Sequence, residues 1–193
     1  MMRRKSHGPL PLGRALPIGR ALPLVAAALL CGAGPGAAQD TRKVDETRPL
    51  QAGGRFHFET ISGEITVRAW DRNEVSIQGE IGAELELRIT GGPDNVRASV
   101  EWPDEKRRRV RNEEVRLEIR LPVSAELSAE SVSAPFTIAG LDGPIEVQTV
   151  SGSIQVDGGS RRVRAQSVSG DITAEVAAAE RVDADAGDRF LRD

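Results

Sequence analysis

Three serine–glycine steps between aliphatic residues could mark a nucleophile: Ser62-Gly63, Ser151-Gly152 and Ser169-Gly170. A nucleophilic serine needs a base within hydrogen-bonding reach and an oxyanion hole. His57 is the only histidine beyond the N-terminal segment, and it alternates with two phenylalanines, so it points to solvent if they point inward. Because no G-x-S-x-G elbow is present, we interpret the serines as turn residues and expect no catalytic residue.

Acidic residues near the C-terminus are the best candidates for a calcium site, which requires clustered oxygen ligands. Asp183, Asp185 and Asp188 lie close in sequence, and Asp157 precedes a glycine pair without the repeated aspartate of glycine-rich calcium coils. We therefore expect a solvated acidic tail and no metal or cofactor.

One basic cluster stands between two strand-like segments and is flanked by acidic residues. It consists of Lys106, Arg107, Arg108, Arg109 and Arg111. Charge runs in such positions are usually solvated loop tips. The functional alternative is contact with an anionic envelope polymer or a lipid head group.

Two tryptophans could stack on sugar rings. Trp70 and Trp102 each end a strand-like segment just before a turn. Edge packing against the core is the alternative for both residues.

The elements that must position these residues are strands. Apolar residues recur at every second position from Phe56 onward, as is typical of half-buried strands. The alternating runs are Phe56/Phe58, Ile65/Val67, Val75/Ile77, Leu85/Leu87/Ile89, Val96/Ala98/Val100 and Val115/Leu117/Ile119/Leu121. The alanine-rich stretch 174–182 is interpreted as a strand with a loop, because the repeat described next continues into it.

An 18-residue repeat is the strongest signal in the chain. "SVSAPFTI" (131–138), "TVSGSIQV" (149–156) and "SVSGDITA" (167–174) align, and "TISGEITV" (60–67) is an earlier copy. The aligned columns are all apolar, and we expect each of them to face the core. They are Val132/Val150/Val168, with Ile61 in the earlier copy, Phe136/Ile154/Ile172, Ile138/Val156/Ala174 and Ile145/Val163.

The period predicts a β-solenoid. Eighteen extended residues at about 3.3 Å each make a contour near 60 Å, enough for one coil. A single coil buries too few aliphatic residues to offset its ordering entropy, so coils must stack. Residues 79–121 interrupt the period, and we expect an inserted antiparallel meander of three strands at 83–90, 95–102 and 113–121.

The segments "GEITVRAWDRNEVSIQGEI" (63–81), "VRLEIRLPVSAELSAESVSA" (115–134), "VQTVSGSIQV" and "AQSVSGDITA" resemble the bacterial DUF4097 family of adhesin-like proteins. The resemblance covers about residues 53 to 184. It implies an all-β, single-stranded, right-handed β-helix in an exported cell-envelope protein, and it provides no catalytic residues to transfer.

The N-terminus has the order of a secretory signal peptide: five basic residues, the apolar run 21–30, then small residues ending at Ala38. Leu30 before Cys31 disfavours a lipoprotein signal. Cleavage after Ala38 would leave 155 residues without cysteine, with 21 Lys and Arg against 29 Asp and Glu, a formal charge of −8. That charge disfavours nucleic acid as a partner. No later stretch is apolar and long enough to span a membrane.

We therefore predict a signal peptide (1–38), a flexible lead-in (39–52), a β-solenoid domain (53–184) and a tail (185–193). The last coil slips by one residue at Val182 and the tail begins a unit that stops, which suggests an incomplete coil or a truncation. The predicted function is a non-enzymatic periplasmic or extracellular adhesin or scaffold. The alternatives are a β-helical carbohydrate-active enzyme and an envelope protein that self-associates through its coil ends.

Overall fold

The computed structural model describes residues 41–102, 114–160, 162–176 and 181–186, which belong to one compact unit. These residues form fourteen strands and no helix. The strands are β1 (Thr41–Pro49), β2 (Arg55–Ser62), β3 (Glu64–Trp70), β4 (Glu74–Gly82), β5 (Glu86–Gly92), β6 (Asn95–Glu101), β7 (Val115–Pro122), β8 (Glu126–Ser133), β9 (Phe136–Ala139), β10 (Ile145–Thr149), β11 (Ile154–Gly158), β12 (Arg162–Ser167), β13 (Ile172–Val176) and β14 (Arg181–Ala186).

The strands build two open, seven-stranded mixed sheets, so the predicted all-β class is confirmed. The first sheet has the order β1-β4-β7-β3-β9-β11-β13, and the second has the order β14-β12-β10-β8-β2-β6-β5. From β8 to β14, successive strands alternate between the two sheets. Within the described ranges, the chain contains no helix long and apolar enough to cross a membrane.

The 18-residue repeat appears as the register between neighbouring parallel strands. Ile145 pairs with Leu127 on one side and with Val163 on the other. In the other sheet, Ile154 pairs with Phe136 and Ile172. The predicted slip is also present, because Val163 of β12 lies opposite Val182 of β14, one position beyond the regular register.

The core lies along the inward positions of both sheets. Phe56, Phe58 and Phe136 are its largest buried side chains. Inward residues stack rung upon rung, as in Phe56–Leu127–Ile145–Val163, and all four are at most 2% exposed. Each of these strands therefore extends the apolar layer of its neighbour.

The predicted flexible lead-in is wrong, since β1 pairs antiparallel with β4 along its whole length, from Thr41↔Gly82 to Pro49↔Glu74. Only Val44 of this strand is buried. Backbone hydrogen bonds rather than an apolar face hold β1 in place, and hydrophobic alternation does not detect a strand of that kind.

The predicted meander has its three strands close to the expected positions, but the placement of the third strand is wrong. β5 and β6 form an antiparallel pair at the edge of the second sheet, where β6 continues parallel to β2. β7 lies in the first sheet, between antiparallel β4 and parallel β3. Alternation shows which side chains face inward, but it does not select the partner of a strand.

Candidate functional site

A row of exposed aliphatic residues lies at one end of the outer face of the second sheet, within β2 and β8 and directly after β10 and β12. Ile61 is 48% exposed, Val132 50%, Val150 48% and Val168 68%. We call this row the aliphatic ladder. The prediction that this column faces the core is wrong. The next two aligned columns do face the core, as the burial of Ile154 and Val156 shows.

A change of phase at the corner explains the exposure. Ile145, Val147 and Thr149 point inward along β10, so Val150 points outward by strict alternation. The bend at 150–151 and the two residues after it shift the phase, and Ile154 and Val156 then point inward. The sequence alignment counted Val150 in the same alternation as Ile154 and Val156, and it therefore predicted incorrectly that Val150 faces the core.

The backbone stacks the ladder residues in register. Ile61 and Val132 lie opposite one another, between the pairs Thr60↔Ser131 and Ser62↔Ser133. The ladder continues across the corners because the Ser151 N–H donates to the Val132 carbonyl and the Ser169 N–H to the Val150 carbonyl. Adjacent rungs in a sheet are about 4.8 Å apart, so the four side chains span about 14 Å.

A second, inward row of hydroxyl groups lies beneath the ladder. Ser131 Oγ donates to Thr149 Oγ1 (2.9 Å), Thr60 Oγ1 donates to the Ser62 carbonyl (3.0 Å) and Ser167 Oγ donates to the Gly152 carbonyl (3.2 Å). These residues stand two positions before the motif serines. Side-chain hydrogen bonds at the corners are therefore made by these inward hydroxyls.

The motif glycines allow adjacent corners to approach closely. A Cβ on Gly152 would collide with the backbone carbonyl of Ala134, and one on Gly170 with that of Gly152. Each glycine lets its corner stack directly on the previous one, which keeps the ladder in line.

A groove of about 700 Å³ lies at the first end of the ladder. Ile61, Val132, Val100 and Trp102 form its apolar part, and Trp102 also packs against the core. Three carboxylates, those of Glu59, Glu101 and Glu130, line the same groove, and no lysine or arginine of the described ranges does so. The described lining of the groove therefore combines apolar side chains with carboxylates.

Two of the groove carboxylates have fixed positions. Glu101 accepts a hydrogen bond from Ser99 Oγ (2.7 Å) and lies 3.7 Å from Arg88 Nε. Glu59 lies 2.5 Å from His57 Nε2 and 4.0 Å from Arg97 Nη1. Both arginines remain largely exposed, so solvent screens their attraction.

His57 stands in a chain of three polar groups on the outer face. Its Nδ1 is 3.1 Å from Ser128 Oγ, on the directly paired residue of β8. A carboxylate only accepts, so Nε2 is the donor in the contact with Glu59. The His57 side chain is only 13% exposed. It faces outward as predicted, but its neighbours cover it.

This chain has the donors and acceptors of a serine–histidine–acid arrangement, but it lies on a paired sheet. β2 and β8 each pair with a strand on both sides, so their N–H groups are directed at neighbouring strands. An oxyanion hole needs N–H groups directed at the substrate. The arrangement orients the imidazole and connects two strands, and it supports no nucleophilic mechanism.

Trp70 lies in the first sheet, away from the groove lining. Its Nε1 donates to the Glu74 carbonyl (2.8 Å), and the guanidinium groups of Arg72 and Arg120 lie 5.1 and 6.0 Å from its ring centroid. These contacts favour the edge-packing interpretation of Trp70. Trp102 is the tryptophan that reaches a concave surface.

The other predicted residues do not join this site. The basic cluster Lys106, Arg107, Arg108, Arg109 and Arg111 lies outside the described residues, as does Asp188. Asp183 and Asp185 are opposite Arg164 and Gln166, and Asp157 is exposed. Within the described part of the chain, no three His, Cys, Asp or Glu residues are arranged to hold a metal.

Further along the same face, charged pairs connect neighbouring strands. Arg55 forms an ion pair with Glu126 at 3.1 Å, and this hydrogen-bonded carboxylate raises the pKa of the Arg55 guanidinium above its ordinary value. The pair is exposed, so it orders the surface more than it stabilises the fold.

Sequence reasoning missed Ser128 and the groove glutamates. The repeat contained a signal for Ser128, because Leu127 precedes Val132 by five residues just as Phe56 precedes Ile61. This spacing places Ser128 in the column of His57. The groove had no comparable signal, since β6 reaches β2 only through the unexpected parallel pairing.

The fold is similar to that of a solved structure at low sequence identity. No protein-family model matches the sequence, and no curated protein matches it. A structure described as a "putative cell adhesion protein" from Clostridium sporogenes has a TM-score of 0.50 and 11% identity, covering 69% of this chain and 72% of that one. A "putative adhesin" from Bacteroides fragilis has a TM-score of 0.36 and 15% identity, covering 75% of this chain and 84% of that one.

Proposed function

We propose that this protein is a non-enzymatic, exported cell-envelope protein that uses the outer face of its second sheet as an adhesin-like binding surface. In this proposal the two sheets are the walls of a single-stranded, right-handed β-solenoid with 18-residue coils. The alternation of strands between sheets and the constant parallel register support that architecture.

The observation that carries the proposal is the exposure of the aliphatic ladder. Soluble proteins scatter single apolar residues over their surfaces, whereas rows of contiguous exposed apolar groups mark binding sites. Here four such residues are aligned by backbone hydrogen bonds and end in a groove. The same 18-residue repeat that aligns the buried residues on neighbouring strands also aligns these exposed residues.

The likeness to the Clostridium sporogenes structure agrees with the proposal at the level of fold. The cell-adhesion description belongs to that protein, and fold alone does not determine function. The ladder is the independent argument, because it is a property of this sequence and of its own exposed side chains.

Export is part of the proposal and has a direct test. The segment 1–38 has the basic, apolar and small-residue order of a signal peptide. Expressed with its own leader in a Gram-negative host, the protein is expected in the periplasm or medium, beginning at Gln39 by N-terminal sequencing. A cytoplasmic product that begins at Met1 would contradict export.

Binding without turnover is the test of the functional class. The protein is incubated with isolated envelope fractions and envelope glycans, and retention, new reducing ends and unsaturated products are measured. We expect retention and no products. Absence of retention on every fraction would contradict an adhesin, and multiple turnovers would contradict a non-enzymatic role.

A β-helical carbohydrate-active enzyme is the second candidate, and the groove is the observation that favours it. Glycoside hydrolysis uses a pair of carboxylates beside the sugar, and Glu59, Glu101 and Glu130 line one groove with Trp102. If this candidate is correct, the Glu101→Gln variant loses the turnover seen with wild type, whereas Glu64→Gln, on the other sheet, retains it.

A further inference from the structure

We infer that the aliphatic ladder and its groove bind a basic amphipathic α-helix, lying across the strands with its apolar stripe on the ladder. This inference rests on the proposed binding function and names the chemistry of the partner. It comes from three features of the outer face: the spacing of the ladder, the row of polar residues beside it and the charge of the groove.

The spacing of the ladder favours a helix over an extended peptide. Ladder side chains recur about every 4.8 Å, at right angles to the strands. A helix presents the same face at intervals of about 5.4 Å, whereas an extended chain does so at intervals of about 6.7 Å. Over the three steps of the ladder, the side chains of a helix fall out of register with the ladder by about 2 Å, and those of an extended chain by about 6 Å. About ten helical residues cover the length.

A row of polar residues beside the ladder determines which helix side chains are favoured next to the apolar stripe. Glu59, Glu130, Gln148 and Gln166 each stand two residues before a ladder residue on the same outer face. Two residues along a strand correspond to about 6.7 Å, which lies within the width of a helix about 10–12 Å across. Side chains at the edge of the apolar stripe therefore reach this row.

The charge of the groove determines the sign of the flank and the direction of the helix. Carboxylates occupy the row over β2 and β8, and Glu101 adds a third at the groove, whereas β10 and β12 contribute amides. Lysine or arginine in the half of the helix nearest the groove meets these carboxylates. The positive N-terminal end of the helix dipole is favoured at the same end.

Synthetic peptides with the proposed chemistry test this inference without the natural partner. A labelled amphipathic helix of about 14 residues has a leucine stripe, with lysines flanking the stripe in its N-terminal half. A second peptide has glutamates in place of the lysines, and a third is a scramble. Fluorescence anisotropy with the protein at low and high salt measures each affinity.

We expect the lysine helix to bind at least about tenfold more tightly than the glutamate helix or the scramble. The Val132→Ser/Val150→Ser variant is expected to weaken binding at least about tenfold, and Glu101→Gln/Glu130→Gln to weaken it mainly at low salt. The matched controls are Val123→Ser, an exposed valine outside the ladder, and Glu64→Gln; each should change affinity less than about twofold.

Equal binding of the lysine and glutamate helices, or unchanged binding by the ladder variant, would overturn the inference. A wild-type dimer in size-exclusion chromatography that the ladder substitutions dissociate would also overturn it, because the occupant would then be a second copy. If the protein is retained on envelope fractions but binds no helix, this inference fails and the proposed function stands.

Discussion

Replacing Val156 by threonine is expected to destabilise the fold strongly, whereas the same change at Val150 is expected to have little effect. Both valines lie in one copy of the repeat, "TVSGSIQV". Val156 is 1% exposed and pairs with Ile138 and Ala174 on the neighbouring rungs. Val150 is 48% exposed. Threonine preserves the β-branched shape, so the comparison isolates burial.

The magnitude follows from the inward environment of Val156. Loss of one buried methyl group costs about 0.8 kcal/mol. The new hydroxyl lies among apolar neighbours on a strand paired on both sides, and an unsatisfied buried hydroxyl adds about 1–3 kcal/mol. The total is about 2–4 kcal/mol. For a domain of this size, that lowers the melting temperature by about 4–16 °C.

The assay is urea and thermal unfolding of both variants, followed by circular dichroism. Val150→Thr is expected to change the free energy of unfolding by less than about 0.5 kcal/mol, because it is a surface substitution. If Val150→Thr destabilises as much as Val156→Thr, the ladder is part of the core. The corner phase described above would then be wrong.

Two further substitutions test the corner. Gly152→Ala forces a Cβ against the backbone carbonyl of Ala134 and is expected to cost at least about 2 kcal/mol. Gly92→Ala, where a Cβ meets no atom, should cost no more than about 0.5 kcal/mol in the same urea titration, so equal effects would contradict the close approach. Thr149→Val removes the nearer acceptor of the Ser131 hydroxyl, which also lies 3.5 Å from the Ala134 carbonyl oxygen, and is expected to cost about 0.5–1.5 kcal/mol. In a double-mutant cycle, Thr149→Val/Ser131→Ala should cost less than the sum of the single changes, and strict additivity would contradict their coupling.

Much of the fold could be predicted because the apolar columns have two consistent periods. Alternation identified the strands, and the 18-residue interval identified which residues lie on adjacent rungs, as in Ile145 beside Val163. The one-residue slip before Val182 was also visible in the sequence and appears in the pairing of β12 with β14. These features depend on which residues are buried, and the order of apolar and polar residues in the sequence indicates this directly.

The remaining features depend on backbone geometry that side-chain types do not record. β1 is held by its backbone pairing with β4 and buries only Val44. Residue types do not determine which strand β7 pairs with, or that β6 pairs parallel to β2, because other strands have apolar faces as well. The phase change at the corner moved Val150 to the surface, so the site was present in the alignment but was assigned to the core.

The central claim is that the exposed ladder is the binding surface of the protein. Its most direct test is retention of three folded proteins on isolated envelope fractions: wild type, Val132→Ser/Val150→Ser and the matched control Val123→Ser. We predict that the wild type and the Val123→Ser control are retained equally, and that the ladder variant loses at least about nine-tenths of its binding. Full retention of a ladder variant whose melting temperature matches that of wild type would contradict the claim.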